Sequence, residues 1–137
     1  MNDLFTKLDS LNMAKSDYAI TGSGPLFARG LISSLDNDLD VVARNDAWET
    51  ALKFGSPKKG DLNDLIIDLF DGRIQIFNQW SFVGETIDEI IDNAEIHNGY
   101  PFASLEHVLA FKKKLKREKD LRHIELIEIY LAEKHNA

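Results

Sequence analysis

The chain has 137 residues, 44% of them hydrophobic, no cysteine and a formal net charge of −7. That length suits one domain with one real core; the lack of cysteine excludes disulfides and thiolate metal sites, so any metal must be held by oxygen or imidazole. The acidic balance speaks against duplex DNA as a partner, since nonspecific affinity for it comes from phosphate neutralisation by Lys and Arg, while a small charged ligand carried with a cation remains compatible.

No apolar run reaches bilayer length, and the start "MNDLFTKLDS" has neither the basic residues nor the apolar stretch of a signal peptide. A cytoplasmic protein with no membrane partner is expected. In chain order, residues 3–12 place Leu4, Leu8 and Leu11 on one helical face. "DYAIT" reads as a short strand ending at Gly22, and Pro25 suits the first turn of a helix running from Leu26 to Ser33. "DLDVVA" is the second strand. Asn45 is the expected cap of a helix that extends through Phe54, buries Trp48 and Leu52 and stops at Gly55. "GSPKKGDLND" follows as a loop. Then "LIIDLF" and "RIQIF" flank Asp71-Gly72, a hairpin signal that makes them strands three and four. Thr86 and Glu89 match a capping box ahead of an Ile87, Ile90, Ile91, Ala94 stripe. "EIHNGYPF" carries an Asn-Gly turn suited to a minor hairpin. From Ser104 two helices are expected, broken near Glu118 to Asp120, with Ile124, Ile127 and Leu131 on the inner face of the second. The fold class is thus α/β (α+β): a mixed sheet of about four to five strands with flanking helices, residues 1–103 as the core and 104–137 as a C-terminal helical pair of one domain.

The stretch "GSGPLFARGLISSLDNDLDVV" gathers the residues with chemical potential. Asp36, Asp38 and Asp40 imitate the first positions of an EF-hand loop, but Val41 and Ala47 stand where its glycine and glutamate are required. A dinucleotide fingerprint fails at Phe27, where a third small residue is needed. No lysine-serine pair follows the glycines, so a P-loop is excluded. One arrangement uses the parts together. Asp38 and Asp40 alternate on a strand, so they leave one face roughly 6.6 Å apart and can converge on a hard cation such as Mg²⁺. Gly22 and Ser23 end the preceding strand at a helix start, where backbone N–H groups and a hydroxyl can hold phosphate oxygens.

Strand, Gly-Ser, helix and then D-x-D on the next strand resembles the nucleotidyltransferase fold shared by DNA polymerase β-like enzymes, antibiotic nucleotidyltransferases and the minimal bacterial nucleotidyltransferases. "ITGSGPLFARGL", "DLDVV", "IQIFNQW" and the tail "LEHVLAFKKKLKREKDLRHIELIEIYLA" extend the similarity to small bacterial members over most of the chain. The resemblance implies that Gly22 and Ser23 bind nucleotide phosphates and that Asp38 and Asp40 ligate catalytic Mg²⁺ or Mn²⁺. It further implies an NTP substrate, an acceptor that the sequence does not identify, and a third carboxylate on a later strand. Asp68 is the candidate for that third catalytic group, with Gln75 as the alternative occupant. Fourteen residues separate Ser23 from Asp38, a longer link than in compact minimal members.

Other residues carry two readings each. Arg29 either reaches a phosphate or pairs with Asp36 or Asp38. Trp80 either belongs to the core or stacks on a base. Lys112, Lys113, Lys114, Lys116, Arg117 and Lys119 read as a solvated helix face, one or two of whose members would also suit an anionic nucleotide, and Lys119-Asp120 as a helix junction and cap. His97, His107, His123 and His135 lack metal-site spacing. Two functions follow: a metal-dependent nucleotidyltransferase that moves a nucleoside monophosphate to a hydroxyl or phosphate acceptor, or a degenerate fold that binds a nucleotide or, antitoxin-like, a protein. A homodimer or partner protein is the expected way for so small a domain to complete its acceptor surface.

Overall fold

Three of the local signals produce the structure they call for. In the computed structural model, which describes residues 3–35, 38–60, 64–80 and 86–135 (for His135 the backbone alone), Thr86 and Glu89 form a reciprocal capping box. Asn98 and Gly99, at φ 53° and 84°, make the two-residue turn of a hairpin, a geometry that matches the natural twist of the paired strands. Asp71-Gly72 lies within a tight four-residue connection whose residues Phe70, Asp71 and Gly72 all have positive φ.

The elements run α1 (Asp3–Asp9), β1 (Tyr18–Thr21), α2 (Gly24–Ala28), β2 (Leu39–Ala43), α3 (Asn45–Leu52), β3 (Lys58–Lys59), β4 (Leu65–Leu69), β5 (Ile74–Phe77), α4 (Ile87–Asp92), β6 (Glu95–His97), β7 (Tyr100–Phe102), α5 (Leu105–Leu115) and α6 (Glu118–His135). The strands form one mixed sheet in the order β3-β4-β5-β2-β1-β7-β6. Pairs β2–β5 and β1–β7 are parallel and the rest antiparallel. Among the described residues, seven strands replace the expected four to five. The two-residue β3 forms within "GSPKKGDLND", whose residues 61–63 lie outside the described residues, and the Asn98-Gly99 hairpin joins the main sheet through β7 beside β1.

Strand alternation divides the core in two. Ile20, Val41, Ile67 and Ile76 turn to the face covered by Leu4, Leu8 and Leu11, whereas Ala19, Val42 and Phe77 turn to the face that packs Ile90, Val108, Phe111 and Ile127. The first helix therefore buries the face read from Leu4 and Leu8, while Leu11, expected on the same helix, is buried in the turn beyond its end at Asp9; in the last helix Ile127 is the fully buried member of its expected stripe. Two other helices differ from expectation. The helix after Pro25 has five residues rather than eight, ending at Arg29 and Gly30, where φ reaches 74°. Asn45 is the first residue of α3 and not its cap; Arg44 holds the cap position without a side-chain cap bond, and the buried residues of α3 are Ala47 and Ala51, with Trp48 and Leu52 only partly covered. Arg44 is engaged elsewhere, donating to Asp17, Asp88 and Asp92 and so tying the end of β2 to α4. The C-terminal break falls at Lys116 and Arg117, two residues ahead of the expected Glu118–Asp120, which open α6 instead, with Lys116 in the left-handed region at φ 49°.

Candidate functional site

The register of four strands builds one wall. Thr21 on β1 pairs with Asp40 on β2, Asp40 with Gln75 on β5, and Gln75 with Asp68 on β4. Directly paired residues share a face, so these four polar side chains form a row across the sheet, on the same side as Val42 and Phe77. Next to this row lies a pocket of about 230 Å³ lined by Gly22, Ser23, Asp38, Asp40 and Gln75 on the sheet side. Phe77, Trp80, Phe111 and Leu115 form its apolar wall, and Lys112, Arg117 and Lys119 close the circuit from the α5–α6 junction.

Gly22 and Gly24 have different duties in this wall. Gly22 has φ 67°, and a Cβ there would stand 2.8 Å from Asp40 Oδ2, so only glycine lets the turn after β1 close against that carboxylate. A Cβ on Gly24 would meet the Ile20 side chain at 2.5 Å, so the second glycine seats α2 on the sheet. Ser23 stands at the start of α2 without a side-chain cap bond and lines the pocket. With five residues and a proline in its first turn, α2 is little more than one helical turn and supplies few N–H groups to an anion. Positive charge in the pocket must come mainly from elsewhere.

It comes from the cations opposite. Burial, together with the nearby charge of Asp38, pushes the Asp40 carboxyl from 3.8 up to about 7, while Lys119, Arg117 and Lys112 act in the other direction. Two carboxylates and three cations thus face one another across a small volume. Asp38 and Asp40, the expected metal ligands, do line one pocket with Gly22 and Ser23. Among the described residues no group of three or more His, Asp or Glu is gathered as a metal site, so a cation here would rely on the two aspartates and on oxygens from outside the chain.

Asp68 and Arg29 lie elsewhere. Gln75, not Asp68, lines the pocket beside Asp40; its Nε2 donates to Asp68 Oδ1 at 2.8 Å, and Asp68 also pairs with Lys58. The Lys58 hydrogen bond holds the Asp68 carboxyl below its usual range against the opposing effect of burial. Arg29 is not among the lining residues: it donates to Pro25 O at 2.9 Å and pairs with Glu95 at 3.1 Å, its side chain only 4% exposed. Asp38 is not its partner, and Asp36, the other expected one, lies outside the described residues. Trp80 belongs to the core, packing edge-on against Phe77 and Phe111, and also lines the pocket.

Comparison of the chain with protein-family models, with curated proteins and with solved structures finds no match. The site therefore rests on its own geometry. Its largest departure from the sequence reading is the basic run: Lys112 is 1% exposed and bonded to the fully buried Asp120, so it is not part of a solvated face. The signal was present in the spacing. Leu105, Val108, Phe111, Lys112 and Leu115 follow the i, i+3, i+4, i+7 rhythm of the buried stripe of α5, and a lysine on such a stripe needs a buried partner.

Proposed function

We propose that this pocket binds a nucleoside triphosphate with Mg²⁺ or Mn²⁺, and that the protein is a nucleotidyltransferase passing a nucleoside monophosphate to a hydroxyl or phosphate acceptor as pyrophosphate leaves. The observation that carries the reading is the meeting, in one pocket, of the carboxylates of Asp40 on β2 and Asp38 just ahead of that strand, the Gly22-Ser23 turn and three cations of the α5–α6 junction. Two hard carboxylates fit a magnesium ion that takes its remaining ligands from water and substrate phosphates. When bound, such an ion would supply charge neutralisation on the phosphates and on the leaving group. Ser23 would donate to a phosphate oxygen, and Lys112, Arg117 and Lys119 would take the anionic tail. Phe77, Trp80 and Phe111 offer the apolar wall for a base or an acceptor.

Gln75 favours a second reading. An amide beside Asp40 supplies neither a proton acceptor nor an anionic metal ligand, and that suits a nucleotide-binding or antitoxin-like protein-binding module without turnover. Titration calorimetry with ATP, with and without Mg²⁺, combined with transfer assays on α-labelled NTPs, decides between them. Mg²⁺-dependent binding with label transfer supports the enzyme, and binding without transfer supports the module. Equal affinity in EDTA would remove the metal from both readings.

A further inference from the structure

Asp120 is fully buried in the first turn of α6 and accepts four hydrogen bonds. They come from Lys112 Nζ at 3.2 Å, the Arg117 backbone N–H at 3.1 Å, Arg117 Nε at 2.7 Å and Arg117 Nη2 at 3.1 Å. The backbone bond is the return half of a helix-start box, with Asp120 as the third residue of α6. Capping alone would account for an acid at this place. It does not account for the other three bonds, which all go to side chains that line the pocket, whereas Asp120 itself does not line it. Burying Lys112 and Asp120 together is expensive, and an apolar pair of similar volume would serve stability as well or better. What the ion pair provides that leucine and methionine would not is a fixed direction for two cations.

We infer that Asp120 is a positioning residue: through Lys112 and Arg117 it sets the cationic wall facing Asp38 and Asp40, on which a polyphosphate rests, and it touches no ligand. The inference deepens the nucleotide reading by assigning the polyphosphate tail to the α5–α6 junction. Arg117 is the member most dependent on Asp120, since its side chain is 48% exposed and its planar fork is gripped at two nitrogens.

Inorganic tripolyphosphate in EDTA at low salt probes this wall without metal or base, and an Asp38→Asn/Asp40→Asn background removes the opposing repulsion. Calorimetry on that background is expected to detect binding, and adding Asp120→Asn, whose amide oxygen can still accept from the Arg117 N–H, is expected to weaken it at least tenfold. With Arg117→Met present, the same Asp120→Asn change should cost less than twofold, because the route through Arg117 is already gone. Unchanged affinity in a folded Asp120→Asn protein, additive losses with Arg117→Met, or no tripolyphosphate binding by the background would each overturn the inference. Should Asp120→Asn fail to fold because Lys112 is left buried without a counter-ion, Lys112→Met/Asp120→Asn is compared with Lys112→Met, with the same tenfold expectation. Failure of wild type to bind Mg²⁺-ATP while tripolyphosphate binding persists would strike the nucleotide reading and leave the role of Asp120 standing.

Discussion

Gln75 is the residue on which the proposed activity turns. It pairs with Asp40 on one side and Asp68 on the other, and its amide donates to Asp68. Gln75→Glu would replace that donor by a third carboxylate between two others, so the variant is expected to lose roughly 1–2 kcal/mol in EDTA. Added Mg²⁺ should restore its melting temperature, since a cation relieves the crowding. A melt that is unchanged in EDTA, or insensitive to Mg²⁺, would count against the carboxylate row as a metal platform. Ser23 offers a milder test. Losing one hydrogen bond to a charged phosphate oxygen costs on the order of 1.5–3 kcal/mol, about ten- to a hundredfold in affinity. Ser23→Ala is therefore expected to weaken Mg²⁺-ATP in calorimetry while leaving the melt unmoved; wild-type affinity would remove the hydroxyl from the site.

At the scale of elements, the turn after β1 and the α5–α6 junction both depend on left-handed backbone. Gly22 and Lys116 have φ 67° and 49°. Glycine adopts this region freely, whereas lysine there is strained by roughly 1 kcal/mol. Lys116→Gly should thus stabilise the protein by about 0.5–1 kcal/mol in denaturant titrations, the usual preference at a helix C-terminus. Gly22→Val should do the reverse and more, since a branched side chain must also displace Asp40. Circular dichroism separates loss of fold from loss of nucleotide binding, and a folded Gly22→Val protein with wild-type affinity would mean that the turn serves only the fold.

For the whole molecule, the two aspartates at the ends of the charge network titrate in opposite directions. Asp40 is raised from 3.8 to about 7, so the native state holds the extra proton between those values, and this group's contribution to stability falls as pH rises through the window. Asp120 is lowered from 3.8 to about 2: burial works to raise it, but the Arg117 and Lys112 hydrogen bonds outweigh burial. Its contribution is present above pH 4 and is lost as pH falls toward 2. From these two groups, thermal melts across pH should therefore peak near pH 4, where Asp120 is ionised and Asp40 still holds its proton. In Asp40→Asn the decline from pH 5 to 8 should flatten, and a slope equal to wild type would show that Asp40 is not the group responsible. Because a cation must displace the Asp40 proton, Mg²⁺ should raise the melting temperature more at pH 8 than at pH 5.5.

Local chemistry made much of this protein legible from its residues. The Asn98-Gly99 turn, the Thr86–Glu89 box, Leu4 and Leu8 on one face of α1 and the close spacing that brings Asp38 and Asp40 to one pocket all depend on neighbours within a few positions, and such short-range preferences act before any tertiary contact forms. Distance along the chain hid the rest. That "EIHNGYPF" extends the main sheet depends on β7 finding β1 some eighty residues earlier, and that Arg29 turns to Glu95 depends on the same docking. Asp68 and Gln75 sit on consecutive strands, and only the parallel pairing of β5 with β2 decided that Gln75 stands next to Asp40 and Asp68 one strand farther out. The lysine at 112 looked like one more charge in a basic run until α6 folded back on α5 and brought Asp120 beneath it. Spacing determined which residues share a face; which faces meet was decided by the packing of elements far apart in sequence, because burial and charge pairing are properties of the assembled core.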